Sequence, residues 1–175
     1  MAIYQYFLAF VPKKGLLAKH KLIPNKIEIN TESDYFEAKT DVYWELSEIA
    51  FDEIKIEIDK IVNIANWGNE KDSFNWKTYS TELDNDAFMS INLESKNIKE
   101  LSFRADLREP TLKFLNGMLE LAKRNKMMMM DRKGNLLNPE INEIEKNIKL
   151  SNSFKFIENP EKFFNDLNDG IISIE

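Results

Sequence analysis

The sequence predicts a single α+β domain in which an antiparallel sheet carries helices mainly on one face. Two observations carry this prediction. Segments with strand and helix patterns alternate in the order strand, helix, strand, strand, helix, strand, and the first strand is almost entirely apolar, as in the centre of a sheet. The whole chain, residues 1–175, has a length typical of one domain with one core.

The first predicted strand covers residues 3–11 and is apolar except for Gln5. The stretch 16–29 is predicted to connect it to the next element, with one short helical turn, and 31–42 is predicted to be a polar loop. From Ser47 onward, apolar residues recur at helical spacing and predict the first helix. They are Phe51, Ile54, Ile58, Ile61, Val62 and Ala65. The polar stretch 68–76 that follows is predicted to be a loop.

A predicted hairpin supplies the next two strands, at 87–94 and 98–108. Pro110, followed by an apolar stripe from Leu112 to Ala122, predicts the second helix, and Met127 to Met130 form the fourth strand. This order is that of a ferredoxin-like split βαβ sandwich. The chain thus divides into a sheet-and-helix core, residues 1–131, and a C-terminal helical extension, residues 138–168.

Composition narrows the classes of function. The chain has 24 basic and 30 acidic residues and a net charge of −6, which disfavours direct binding of nucleic acid. An acidic surface suits a basic protein partner, although it also serves solubility alone. The sequence contains no cysteine, so disulfides and thiolate chemistry are excluded.

The N-terminal apolar run lacks the basic segment and the cleavage site of a signal peptide. No other apolar stretch approaches the roughly 18 residues that a membrane-spanning helix needs. We therefore expect a soluble, cytoplasmic protein that does not associate with a membrane.

Known catalytic patterns are scarce. His20 is the only histidine, and we expect it to be exposed rather than catalytic. The glycine-rich phosphate loops and the nucleophile elbow are missing from the sequence. Glu82, Asp84 and Asp86 could together bind a hard cation, but three acids in one turn are more often simply solvated. The sequence predicts no catalytic set, no metal and no cofactor.

Arg104, Asp106 and Arg108 alternate with apolar residues and therefore share one face of the third predicted strand. If that face is covered, the charges must be paired, because an unpaired buried charge costs several kcal/mol. Two interpretations remain open: an internal ionic ladder, or a contact with a partner or ligand.

Aromatic residues concentrate in the middle of the chain. Trp44, Trp67 and Trp76, with Tyr43 and Tyr79, could form a platform for stacking against a ligand, or one corner of the core. The acidic or neutral residues around them favour the core.

A series of short motifs runs along the chain. In order, it consists of Tyr43-Trp44-Glu45, Trp67-Gly68, Asp84-Asn85-Asp86, the RADLR sequence at 104–108, SNSFKF at 151–156 and NPEKFF at 159–164. This series resembles small bacterial immunity proteins of polymorphic-toxin and contact-dependent inhibition systems. The resemblance implies a cytosolic, non-enzymatic protein that binds and blocks one cognate toxin, commonly a nuclease.

These observations together predict a binding protein that neutralises a basic toxin. The residues predicted to bind the partner are Glu82, Asp84, Asp86, Arg104, Asp106, Arg108, Trp67 and Trp76. One alternative is a small enzyme or ligand-binding module that uses the charged face around Arg104, Asp106 and Arg108. A third possibility is a self-assembling structural subunit.

Overall fold

The structure is a computed structural model that describes residues 3–29 and 39–173. The strands in this part of the chain are β1 (Gln5–Pro12), β2 (Ser73–Lys77), β3 (Asp86–Ile91), β4 (Ile98–Asp106), β5 (Met127–Met130) and β6 (Leu136–Leu137). The helices are α1 (Lys13–His20), α2 (Asp41–Glu45), α3 (Phe51–Asp59), α4 (Lys113–Arg124), α5 (Ile141–Ile148), α6 (Asn152–Glu158) and α7 (Pro160–Asn168).

The six strands form one antiparallel sheet in the order β2-β3-β4-β1-β5-β6. Its four inner strands, β3, β4, β1 and β5, are the four predicted from the sequence. They stand in the order of a ferredoxin-like sheet, with β1 and β4 in the middle. The predicted α+β class, with an antiparallel sheet and helices mainly on one face, is confirmed.

Three local predictions are corrected. The predicted loop at 68–76 contains most of strand β2, and the predicted connection at 16–29 contains most of helix α1. In the extension the sequence predicts two helices, from Pro139 to about Leu150 and from Pro160 to Leu167. The structure holds a third between them, α6, which begins after Ser151, whose side chain accepts a hydrogen bond from the N–H of Phe154. Most of the predicted polar loop 31–42 lies outside the described residues.

The main core lies between one face of the sheet and helices α3, α4 and α5. Leu8 and Phe10 of β1 and Leu101 and Phe103 of β4 point into it, against apolar residues of those helices. Ile144 places α5 on the same face, so the extension begins by enlarging this core. The methionine strand β5 is completely buried and contributes to both faces.

Both edges of the sheet are covered by other parts of the chain. Along β2, the segment 63–70 pairs with the outer edge: the N–H of Ala65 donates to the carbonyl of Asn75 at 2.7 Å, and the N–H of Lys77 donates to that of Asn63 at 2.9 Å. Along β6, the N–H of Leu136 donates to the carbonyl of Asn25 at 2.8 Å. Such coverage protects a sheet against pairing with a foreign strand.

Within residues 3–29 and 39–173, no helix is both long enough and apolar enough to cross a lipid bilayer.

Candidate functional site

The face of the sheet opposite the main core is only partly covered. Near Val11 and Met128 a second, smaller core forms under α1, through Leu16. Beyond it, β1, β3 and β4 direct alternate side chains to this face, and these side chains are mostly polar or aromatic. We call this region the open face; Phe7, Phe88 and Arg104 are half-buried there, whereas Gln5, Asp86, Ser102 and Asp106 are buried.

Arg104 pairs across the sheet with Asp86. The two residues are direct neighbours in the register of β3 and β4, and the guanidinium donates from Nε to Oδ1 and from Nη2 to Oδ2, both at 2.8 Å. Gln5 Nε2 donates to Asp86 Oδ2 at 3.1 Å, and Lys77 Nζ lies 3.9 Å from the same oxygen. The two-point contact between Arg104 and Asp86 is the strongest common geometry for an arginine and a carboxylate.

Asp106 is completely buried and pairs with Arg108, two residues further along the chain. Its oxygens accept hydrogen bonds from Arg108 Nε at 2.9 Å, Arg108 Nη2 at 2.6 Å and the backbone N–H of Arg108 at 2.9 Å. The other face of the guanidinium lies 3.4 Å from the ring centroid of Tyr4, in a cation–π contact. Every contact made to this buried carboxylate therefore favours its charged form.

The Asp84-Asn85-Asp86 turn is held in place by β4. The N–H of Asp84 donates to Asp106 Oδ2 at 2.8 Å, and Asn85 Oδ1 accepts from the N–H of Asp106 at 2.7 Å. Lys77 forms an ion pair with the Asp84 side chain. The carboxylates of Asp84 and Asp86 are thus occupied by cationic side chains, and no cluster of three potential ligands for a metal occurs among residues 3–29 and 39–173.

The environment shifts the pKa of two carboxyl groups on this face in opposite directions. Burial acts to raise the pKa of Asp106, but the hydrogen bonds and charge of Arg108, with the N–H of Asp84, outweigh it and lower that pKa below the usual range. Burial raises the pKa of Glu100, and the hydrogen bond from Ser102 Oγ at 3.0 Å offsets only part of that effect. Asp106 therefore stabilises the fold as a charged group, whereas the charged form of Glu100 is disfavoured.

These pairs form an ionic ladder across the open face, which we call the charged network; it consists of Lys77, Asp84, Asp86, Arg104, Asp106 and Arg108. One link, from Asp106 to Arg108, runs along the strand as the alternation of charges suggests, and the other, from Arg104 to Asp86, runs across it. The C-terminal extension does not seal the network. α5 packs on the main core, and α7 approaches the sheet through Phe163 and Phe164, near Phe7.

A cleft of about 370 Å³ lies on the open face beside the charged network. Phe7, Phe88 and the ring of Trp67 provide its aromatic walls, and Arg104 and Arg132 bring two guanidinium groups. Arg132 lies over the ring of Phe7, 5.2 Å from its centroid. The cleft can therefore contact planar, apolar and anionic groups side by side.

A second cavity, an apolar groove of about 230 Å³, lies under α7. Ile3 and Phe7 line it from the sheet side, and Phe163, Phe164 and Leu167 line it from α7. Phe7 and Arg132 belong to both cavities, so groove and cleft adjoin on the same face.

The predicted partner-binding residues fall into three groups. Asp84, Asp86, Arg104, Asp106 and Arg108 come together in the charged network. Trp67 is 54% exposed at the rim of the cleft, and Glu82 is exposed in the turn before β3. Trp76 is fully buried, and its Nε1 donates to Asp59 Oδ1 at 2.7 Å, which corrects its assignment to a contact surface and places it in the core.

The other aromatic residues divide in the same way. Tyr43 and Trp44 are buried, whereas Tyr79 is 56% exposed. His20 is exposed, as predicted, and its Nε2 lies 3.0 Å from the hydroxyl oxygen of Tyr43. The aromatic concentration noted in the sequence is therefore mainly core, with Trp67 and Tyr79 at the surface.

Sequence reasoning missed four contributors to the open face: Gln5, Lys77, Asn85 and Arg132. Gln5 carried a signal, since it is the single polar residue in an otherwise apolar strand, and the structure uses its amide to hold Asp86. Lys77 carries no signal in the sequence, because the residues before it have the composition of a loop. Arg132 lies in the turn between β5 and β6, where a basic residue has no distinguishing pattern.

Comparison of the chain with known protein families, with curated proteins and with solved structures finds no match.

Proposed function

We propose that this protein is a non-enzymatic binding protein that neutralises a cognate, basic bacterial toxin in the cytoplasm. The observation that carries the proposal is the combination of a cleft rimmed by the exposed Trp67 with a charged network whose members already satisfy one another. Catalytic acids and bases need a group that is poised to exchange a proton, and a side chain locked in a two-point ion pair is poorly suited to that task.

Two further features support a protein partner. Aromatic and arginine side chains dominate the energetic centres of protein interfaces, and the open face presents Phe7, Phe88, Trp67 and Arg104 around one cleft. The net charge of −6 would draw a basic domain toward the protein and raise its association rate. The resemblance of the short motifs to immunity proteins adds the nature of the partner, a toxin encoded beside this gene.

The proposal is tested by co-expression with the product of the adjacent upstream gene. We expect a stable complex on co-purification and protection of cells that express that product. If neither a complex nor protection is obtained, this function is removed from consideration.

A charge-reversal pair measures the electrostatic part of the interaction. The two variants are Glu82→Lys and Glu94→Lys. Glu82 lies in the turn before β3, beside the open face, and Glu94 lies in the turn after β3, at the opposite end of that strand. We expect Glu82→Lys to slow association several-fold at low salt, with the difference shrinking as salt screens it, and Glu94→Lys to have a much smaller effect.

A second candidate function rests on the volume of the cleft. About 370 Å³, lined by aromatic rings together with Asp86, Arg104 and Arg132, is the size of a small-molecule site, and the rings suit a planar ligand with polar groups. Thermal denaturation with a panel of aromatic carboxylates and nucleotides tests it. A rise in the melting temperature that Phe88→Ala abolishes supports a ligand-binding module, and an unchanged melting temperature across the panel argues against one.

A further inference from the structure

Trp67 differs from the other two tryptophans in its exposure. Trp44 and Trp76 are 1% and 0% exposed, whereas Trp67 is 54% exposed. It lies in the segment 63–70, between α3 and β2, which we call the Trp67 loop. An exposed indole on a surface loop is usually free to collapse onto nearby apolar surface, so the reason for its exposure is to be found in the loop.

The backbone on each side of Trp67 is held by a side chain from elsewhere. Before it, the N–H of Asn66 donates to the hydroxyl of Tyr79 at 2.7 Å, and that hydroxyl donates to Asn66 Oδ1 at 2.9 Å. After it, the carbonyl of Gly68 accepts a hydrogen bond from Asn75 Nδ2. Gly68 itself has a φ of 66°, a left-handed conformation that glycine adopts without strain.

Asn69 fixes the loop against β2 a second time. Its Oδ1 accepts from the N–H of Asn75 at 2.7 Å, and its Nδ2 donates to the carbonyl of Ala65 at 2.5 Å. The N–H of Glu70 donates to the carbonyl of Ser73 at 3.0 Å and closes the loop. Four side-chain groups thus hold a loop of eight residues in one conformation, with the indole held outside the core.

Coverage of the β2 edge does not explain the indole. The bonds that close that edge come from Asn63, Ala65, Asn69 and Glu70, and none of them requires a large aromatic residue at position 67. A rigid aromatic side chain that is already in place loses little conformational freedom on binding, and tryptophan is the residue most enriched at the energetic centres of interfaces. The arrangement is that of a pre-organised anchor.

Two more exposed apolar side chains lie on the same edge. Ile64, which bridges to Trp76 of β2, is 46% exposed, and Tyr79, bonded to Asn66, is 56% exposed. We call these two residues and Trp67 the edge patch. Ile64 is in register with Trp76, which faces the main core, whereas Trp67 lines the cleft on the open face, so the edge patch presents apolar side chains on both sides of this edge.

The distribution of charge indicates the sign of the partner. Residues 63–84, which contain the edge patch, include four acidic and two basic residues, whereas residues 3–27 contain five lysines and no acid. That basic stretch includes α1 and the segment beside β6, the opposite edge of the sheet. The segment that carries Trp67 therefore has a net negative charge, which favours a basic partner over an acidic one.

We propose that the Trp67 loop is the pre-organised anchor with which this protein holds a cationic segment of its protein partner. Glu70 and Glu82 supply the charge complement, and the indole supplies apolar contact and a cation–π surface for lysine or arginine. This inference rests on the proposed function, the binding of a basic protein, and adds the residue and the chemistry of the contact.

A peptide-display library selected on the full chain tests the anchor without knowledge of the natural partner. We expect selected sequences rich in lysine and arginine. They should bind Trp67→Ala at least about ten-fold more weakly, while Trp67→Phe retains most of the affinity. The matched control is Leu22→Ala, because Leu22 is also strongly exposed, at 62%, but precedes the segment beside β6.

A variant of Asn69 separates the effect of a rigid Trp67 loop from the effect of the indole contact. Asn69→Ala keeps the indole but removes two of the bonds that hold the loop. We expect faster amide hydrogen exchange in residues 63–70 and about three-fold or more loss of peptide affinity. Circular dichroism and the unfolding midpoint establish that each variant is folded.

Several outcomes overturn the anchor. These are selected peptides that are acidic, peptides that bind Trp67→Ala as well as the parent protein, or a failure of selection. A dimer in light scattering that Trp67→Ala dissociates would instead make the edge patch a self-association surface. If the upstream gene product binds the parent protein and Trp67→Ala equally, the anchor is refuted and the proposed function stands. If that product does not bind the parent protein, the proposed function is refuted. The anchor is then tested only by the affinities of the selected peptides for the parent protein and for Trp67→Ala.

Discussion

Arg104 forms its ion pair with Asp86, directly opposite on β3, and not with Asp106, two residues away on its own strand. Asp106 pairs instead with Arg108, beyond the end of the strand. Asp86 and Asp106 therefore each have their own guanidinium. The N–H of Asp84, which donates to Asp106, links the two pairs through the turn before β3.

Replacement of Asp106 by asparagine should destabilise the protein. Asp106→Asn keeps the shape of the side chain but removes the charge that Arg108 and the N–H of Asp84 contact in a fully buried position. We expect the free energy of unfolding in urea to fall by about 2–3 kcal/mol. Glu82→Gln, an exposed acid in the neighbouring turn, is the control and should change it by less than about 0.5 kcal/mol. A stable Asp106→Asn protein that has lost its partner would indicate a contact role instead.

The lowered pKa of Asp106 also predicts how the stability of the protein changes with pH. The pKa of Asp106 is lower in the folded than in the unfolded protein, so its contribution to stability is complete above the unfolded pKa of about 3.9. This contribution is lost as the pH falls through the pKa that Asp106 has in the folded protein. We expect the difference in unfolding free energy between the parent protein and Asp106→Asn to shrink as the pH is lowered from 5 toward 2. A difference that stays constant over that range would contradict the lowered pKa.

Glu100 should behave in the opposite way. Because burial raises its pKa in the folded protein, ionisation of Glu100 favours the unfolded state, and stability falls as the pH rises from the unfolded pKa through the folded one. Glu100→Gln removes this charge and can still accept the hydrogen bond from Ser102. We therefore expect Glu100→Gln to be more stable than the parent protein at pH 7 and equally stable near pH 4, as measured by urea unfolding at both values.

Gly15 is required for the contact between α1 and α2. A Cβ at this position would lie 2.0 Å from the carbonyl oxygen of Tyr43, and backbone cannot yield as a side chain can. We expect Gly15→Ala to lose about 2–3 kcal/mol of unfolding free energy. Gly117→Ala is the matched comparison, because its Cβ would meet only the Ile61 side chain, at 2.9 Å. There the helix preference for alanine offsets the crowding, and a loss as large as that of Gly15→Ala would contradict the explanation.

The inner sheet could be predicted from the sequence because each strand carries its own pattern. β2 was missed even though Phe74 and Trp76 alternate with polar residues, since the short run stands among loop-forming residues. Its stability comes from partners distant in sequence, β3 on one side and the Trp67 loop on the other. α1 is predicted only as one short helical turn, because its apolar residues show no helical stripe and its place depends on the approach of Gly15 to α2.

The charged network was only half predictable. Alternation along β4 indicates that Arg104, Asp106 and Arg108 share a face, but the partner of each depends on the register between strands. Asp86 meets Arg104 because the hairpin aligns them, and a shift of one residue would remove that contact. The sequence places both Trp67 and Trp76 at the contact surface and cannot tell them apart, because the exposure of Trp67 follows from asparagine side chains that close a loop in three dimensions.

Coverage of both sheet edges also bears on how recognition can change over generations. A partner that joined the sheet as an additional strand would be held largely by backbone hydrogen bonds, which are nearly the same for any sequence. Here both edges are occupied by Asn25, Asn63 and Ala65, so a partner of the proposed kind would have to be recognised through side chains. The exposed Trp67 side chain makes none of the bonds that cover the β2 edge, so it can be exchanged while the sheet beneath it stays the same. The residues that cover the sheet edges can therefore be kept while exposed side chains change, and single substitutions could adapt this surface to a partner that has itself changed.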